Sequence, residues 1–394
     1  MADALSAGTG DKTLRLSFVA LLSAVAVFGF TLGISFPMLA LALENFGLSN
    51  TMIGVNGTMS ALGILSSSFV LPRLTRLFGP LKVMLTSVIM AALCFLMFGL
   101  FYDPTAWLVI RFVLGAAING LFLMSETWVN TIATDQNRGR YIGIYATVLA
   151  GSFATGPLLV PVLGYQSLMP FAICATIVLL ALVPLWAARR NMPQIDSHSS
   201  GAGIFHYFAL VPTIMSAVLL IAFIDFAAFG LLPVYAIRLG FDATVATLML
   251  TTAALGNVFL QIPIGWLSDR MDRYLALILA AAGTMIASLL LPLVVDHQLI
   301  LWPLLFFWGG MAYGIFTIAL GIIGQRFQGA ALVAVNAATA AVWGLGGIFG
   351  PLAGGPAMDW FGPHGLMWAA AVGCALFLIL AIIRHPDALR PTRP

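Results

Sequence analysis

Charge is what this sequence has least of. Only 8% of its 394 residues are Asp, Glu, Lys or Arg, where an average soluble domain carries about 25%. With 61% hydrophobic residues and a mean hydropathy of +1.05, a water-soluble fold of this length is excluded. Polar runs are equally scarce, the longest being the Ser- and Gly-rich stretch 191–203. Cysteine is nearly absent. Cys94, Cys174 and Cys374 stand singly in apolar segments without CxxC spacing, which excludes a disulfide scaffold and leaves packing as their role. No GxxxxGK[ST] is present, so ATP is not the expected energy source. No HExxH, GxSxG or paired intramembrane acids argue for an embedded enzyme.

What is there is a succession of apolar runs. A bilayer-crossing helix needs about 20 apolar residues, and residues 1–13 precede a longer run read as a retained first span and not a signal peptide. Apolar runs set against turn and charge punctuation predict spans near 14–43, 52–71, 82–101, 106–127, 141–163 and 168–187. A second set follows near 208–237, 243–265, 274–294, 299–323, 332–357 and 366–383. The expected organisation is an N-terminal six-helix bundle over 1–190, a cytoplasmic linker over 191–207, and a C-terminal six-helix bundle with a short tail over 208–394. If the N-terminus is cytoplasmic, 15 of the 17 basic residues fall on the cytoplasmic side. The exceptions are Arg111, within span four, and Arg238, in an outer loop. By the positive-inside rule this orients the chain with both termini in the cytoplasm, in an inner membrane of bacterial type. The basic balance therefore records topology and not a nucleic-acid partner.

The two sets of spans carry matching features. Span five contains GSFATGP (151–157) and span eleven GGIFGPLAGG (346–355). Small residues at these spacings allow close helix approach, and Gly156-Pro157 and Gly350-Pro351 are expected hinges. Between spans eight and nine lies GWLSDRMDR (265–273), with a weak counterpart PRLTRLFGPLK (72–82) between spans two and three. Span four contains Arg111-Phe-Val-Leu-Gly115. The loop resembles the G-x-L-x-D-R-x-G-R signature of the major facilitator superfamily, while RFVLG and GPLAGG resemble motifs of its drug:proton antiporters. RFVLG, GLLPVY (230–235) and PIGWLSDR together resemble the YcaD-like branch. The resemblance implies an all-α membrane protein with the major facilitator fold, two pseudo-symmetric six-helix bundles, and spans 1, 4, 7 and 10 around a solute path. It also implies that Asp269 docks on the cytoplasmic start of span five beside Arg138 and Arg140, latching the outward-facing state with Arg270 nearby. Thr75 stands where the first-half loop would carry the acid, and Asp272 where the second would carry Gly, so the two closures should be unequal.

Ionisable groups inside a bilayer are functional candidates by default. Those here are Arg111, Glu126 and Asp225. On span four, Arg111, Gly115, Asn119, Phe122 and Glu126 advance by three or four residues and so share one stripe. Asp225, with Phe226 and Phe229 beside it, lies near the middle of span seven. The expectation is that Asp225 binds a proton or a cationic group, that Arg111 modulates it, and that the balance between burial and a nearby guanidinium lets the acid change protonation. The plainer alternatives stay open: Asp225 as a tie to a neighbouring helix, Arg111 bound to backbone carbonyls, and Glu126 as an anchor for the Arg138–Arg140 loop. Asn257 and Gln261, one turn apart on span eight, and Asn336 on span eleven are further substrate candidates or interhelical hydrogen-bond partners. Trp128 reads as an interfacial anchor. His364 and Met367 form an isolated outer pair that a soft metal could touch, and no metal site is expected.

These residues point to a monomeric secondary transporter of a small organic solute, working by alternating access, driven by protons without a cofactor, and exporting its solute. The alternatives are proton-coupled uptake of a metabolite or metal complex, an embedded enzyme, and a non-transporting sensor.

Overall fold

The computed structural model describes residues 2–132, 138–190 and 210–388. The expected linker 191–207 lies outside the described residues, as does the side chain of Arg138. Among the described residues the chain is helical, with no strand. The helices are α1 (Ala2–Asn45), α2 (Asn50–Phe78), α3 (Pro80–Leu100), α4 (Pro104–Ile132), α5 (Arg138–Leu163), α6 (Leu168–Leu179) and α7 (Leu182–Ala187). They continue as α8 (Pro212–Arg238), α9 (Ala243–Ser268), α10 (Arg273–Val294), α11 (Gln298–Arg326), α12 (Gly329–Phe361) and α13 (Gly365–Ala388). Among the described residues twelve segments are long and apolar enough to cross a bilayer, α6 and α7 together making the sixth. Each overlaps a run read from the sequence, because length and hydropathy are what a bilayer selects, with the largest differences at the ends of α2 (Phe78 against 71) and α4 (Ile132 against 127).

Boundaries lie where local chemistry ends a helix. Gly79 takes φ 82° and Pro80 opens α3, so the α2–α3 turn needs a single residue outside the helices. The Asp242 carboxylate accepts from the backbone N–H of Val245 at 2.8 Å, and that of Asp272 from Leu275 at 2.8 Å, capping α9 and α10. Asp272 thus has a structural reason to stand where the resembled loop carries Gly.

The described chain divides into two compact units, Met1–Ala42 with Met59–Ser199, and Leu43–Thr58 with Ser200–Pro394. In the first, α3 packs on α4 and α6. Gly156 of α5 lies against the backbone of Gly33 and Ile34 in α1, where a Cβ would overlap both. Gly115 of α4 meets the carbonyl of Ser60 in α2 in the same way. In the second unit α9 runs along α11, α8 along α12, and α10 packs on α11 and α13. Here Gly350 of α12 presses on the backbone of Phe223 in α8, and Gly256 of α9 on that of Phe306 in α11. The glycine motifs of spans five and eleven therefore do equivalent work, each bringing its helix into backbone contact with the first helix of its own half.

Candidate functional site

Helix α8 is enclosed by α9, α11, α12 and α13 and is buried on almost every face. Asp225 sits at its midpoint, 9% exposed, between Ile224 and Phe226, with Phe229 one turn on. A carboxylate in such surroundings needs a hydrogen-bond donor. Tyr313 of α11 supplies one, its phenolic O–H donating to Asp225 Oδ1. Among the described residues Asp225 forms no ion pair. The arrangement meets the plainer expectation, since the bond ties α8 to a neighbouring helix.

In the first unit the α4 stripe spans about 80° of the helix circumference at 100° per residue, and its residues meet different neighbours. Arg111, 1% exposed, donates from an Nη to the Ser35 carbonyl of α1 at 2.8 Å, and its guanidinium lies 4.2 Å from the centroid of the Phe36 ring. Phe122 stacks on Phe28 of α1 at 4.6 Å. Asn119 faces α2, its amide donating to the Ile64 carbonyl at 3.0 Å and to the hydroxyls of Ser67 and Ser68 at 2.9 and 3.0 Å. Its donor capacity is fully taken up in joining α4 to α2. Glu126 is exposed. Arg111 and Asp225 each have their partners within their own unit.

The remaining candidates have local partners. Gln261 donates to Asn257 Oδ1 at 2.8 Å, a pair within α9 and not the interhelical one expected. Asn336 is exposed on α12. The Asp269 carboxylate accepts from Arg273 one turn on, and Arg270 lies over the Trp266 ring at 3.6 Å. Arg140 is exposed. Thr75 is buried near the end of α2, its hydroxyl 3.6 Å from Met124 Sδ. Trp128 corrects the reading made from sequence. It is 1% exposed with its indole N–H unpartnered, a core residue and not an interfacial anchor. His364 Nδ1 lies 3.3 Å from the Tyr235 hydroxyl, and Met367 is buried.

One cluster in the second unit escaped the sequence reading. Asp359, near the end of α12, accepts at Oδ1 from the Asn50 backbone N–H at 3.0 Å and side-chain amide at 2.8 Å. Its Oδ2 accepts from the Thr51 N–H at 2.8 Å and hydroxyl at 2.6 Å. It thereby caps α2 from a helix more than 300 residues away in sequence. Beside it Arg238 pairs with Glu44 at 2.7 Å and donates to the Leu48 carbonyl at 3.3 Å. Glycines close the contact: Gly54 lies against the Pro351 carbonyl and Gly355 against that of Asn50. The signal in the sequence was Arg238 itself, a basic residue away from the expected side that required an acid nearby.

The model of the Major Facilitator Superfamily matches residues 21–327 and 214–394. The chain belongs to the major facilitator superfamily. It is 28% identical to the uncharacterised MFS-type transporter YfkF of Bacillus subtilis (strain 168), covering 96% of this chain and 97% of that protein. It is 23% identical to the uncharacterised MFS-type transporter YcaD of Shigella flexneri serotype 5b (strain 8401), covering 76% and 78%. The fold is that of the nucleoside transporter NupG, with a TM-score of 0.75 at 13% identity over 96% of this chain and 99% of that one. It is also that of a bacterial homologue of the human lysosomal transporter Spinster, with a TM-score of 0.71 at 14% identity over 95% of each chain. The chain is thus a multi-pass membrane transporter with the major facilitator fold of twelve transmembrane helices.

Proposed function

We propose that this transporter is a secondary active, proton-coupled carrier that exports a small organic solute from the cytoplasm across a bacterial-type inner membrane, with Asp225 as its proton-binding group. The single observation behind the coupling is the placement of Asp225, buried at the centre of α8 and held by the Tyr313 hydroxyl, with no ion pair among the described residues. A lone acid in the hydrocarbon region is costly and is retained where it carries a charge through a cycle. Export rests on the resemblance of RFVLG and GPLAGG to antiporter motifs.

Exchange of access between the two membrane faces then depends on contacts that form and break. The Asp359 cap and the Arg238–Glu44 pair hold the α1–α2 turn to α8 and α12 and must open in one half of the cycle. Docking of Asp269 on the start of α5 would serve the other half, with its present bond to Arg273 exchanged for that contact.

A thermal-shift screen of metabolites and drugs on the purified protein identifies stabilising solutes, and proteoliposome flux with and without an imposed pH gradient then tests them. Accumulation of a stabilising solute against the proton gradient supports the reading. Flux indifferent to the gradient overturns the coupling, and a solute that binds but is never carried overturns the transport.

A further inference from the structure

Five buried hydroxyls of this protein share a common arrangement, and two on α1 stand out against it. A Ser or Thr within a helix ordinarily satisfies its hydroxyl by donating to the carbonyl one turn back. Thr58, Thr251, Thr284, Ser288 and Thr339 all do so, at 2.8 to 3.0 Å. Thr31 and Ser35 of α1 do not. They are 0% and 1% exposed, and neither hydroxyl oxygen has a hydrogen-bond partner. Both therefore forgo a bond available at no cost in their own helix.

Their position explains the departure. Phe28 stacks on Phe122 of α4, and the Ser35 carbonyl accepts from Arg111 of α4. Residues 28, 31 and 35 advance by three and four, so Thr31 lies between these contacts on the same face. Arg111 is buried, its Nε–H is unpartnered, and among the described residues no carboxylate pairs with it. A neutral carbonyl and the Phe36 ring are its recorded partners. A buried guanidinium with no counter-charge is costly, and an anion that joined it would offset part of that cost. The surroundings thus combine a positive charge, a free N–H and two uncommitted hydroxyls, and among the described residues lack a counter-anion.

We propose that Arg111, Thr31 and Ser35 form a binding site for an anionic oxygen group on the transported solute, and that the solute is a small organic acid with a carboxylate or comparable oxyanion. The planar fork of Arg suits a carboxylate better than any cation or neutral group. This inference rests on the chain acting as a solute carrier and is independent of the role given to Asp225.

The test is a thermal-shift panel of small aliphatic and aromatic carboxylates, phosphates and sulfonates, each beside its uncharged amide or alcohol and its amine, on the wild type and three variants. The expected result is stabilisation by one or more oxyanions and not by their neutral or amine counterparts. In Arg111→Gln, and in the nearly isosteric Thr31→Val with Ser35→Ala, apparent affinity for that oxyanion falls by about tenfold or more. The second variant keeps the test valid if loss of Arg111 impairs folding. Asp225→Asn retains the oxyanion preference, which separates this site from the coupling. A panel in which no oxyanion stabilises, in which amines or neutral solutes do so instead, or in which both α1–α4 variants keep the preference overturns the inference. An oxyanion that binds at this site but is never carried in proteoliposomes contradicts the transport reading and leaves the site standing.

Discussion

Asp359 Oδ2 accepts from both the backbone N–H and the hydroxyl of Thr51, at 2.8 and 2.6 Å, so one carboxylate on α12 closes the first turn of α2. Two of the four N–H groups that a helix start leaves unsatisfied find partners on this one side chain, with the helix dipole adding to the attraction. In Asp359→Ala that cap is lost, and the cost is about 1 to 3 kcal/mol, the range of a charged N-cap with its hydrogen bonds. Cysteine labelling near Asn50 should become faster in the variant, because the α1–α2 turn is released. Unchanged labelling would show that the turn is held by other contacts.

The neighbouring pair Arg238 with Glu44 is partly exposed and contributes no more than about 1 kcal/mol. Glu44→Arg should therefore lower thermal stability slightly through like-charge repulsion, and adding Arg238→Glu should restore it. Failure of the double variant to recover would mean that the hydrogen bond from Arg238 to the Leu48 carbonyl, and not the ion pair, carries the contact.

Gly156 and Gly350 are expected to tolerate no side chain. Each lies against the backbone of another helix, Gly33 and Ile34 in one case and Phe223 in the other, so neither neighbour can move aside as a flexible side chain would. Gly156→Val and Gly350→Val should each cost about 1 to 3 kcal/mol as overpacked contacts, read as a lower melting temperature in detergent. Gly143→Val, at a position with open space around it, serves as the control and should change little.

Tyr313→Phe isolates the hydrogen bond from the acid. The variant keeps Asp225 but leaves its buried carboxylate without a recorded donor, so stability falls by about 1 to 3 kcal/mol when the acid is charged. Protonation removes that penalty, so the destabilisation should shrink as pH is lowered. A loss independent of pH would mean that Tyr313 acts by packing alone.

The span positions were legible because hydropathy and turn residues act locally, and the bilayer imposes a length on every helix. The isolation of Asp225 in an apolar run was legible for the same reason. Its partner was not: Tyr313 lies 88 residues away, and nothing in the spacing of α11 distinguishes it from the other aromatic residues there. The three-and-four spacing puts the α4 stripe along one side of a helix, yet periodicity cannot tell that Arg111 meets α1 while Asn119 meets α2. Trp128 was misread because hydropathy does not separate a core position from an interfacial one near a span end. The Asp359 cap was missed because capping is ordinarily sought within a few residues of the helix start, and here the carboxylate comes from a distant helix.

If Asp225 carries the coupled proton, its neutral replacement uncouples solute movement from proton movement. Proteoliposomes loaded with a pH-sensitive dye, prepared with wild-type protein and with Asp225→Asn, test it when a transported solute is added. Wild type should move protons with solute, and the variant should exchange solute for solute with no change in internal pH. Proton movement in Asp225→Asn equal to that of wild type would contradict it.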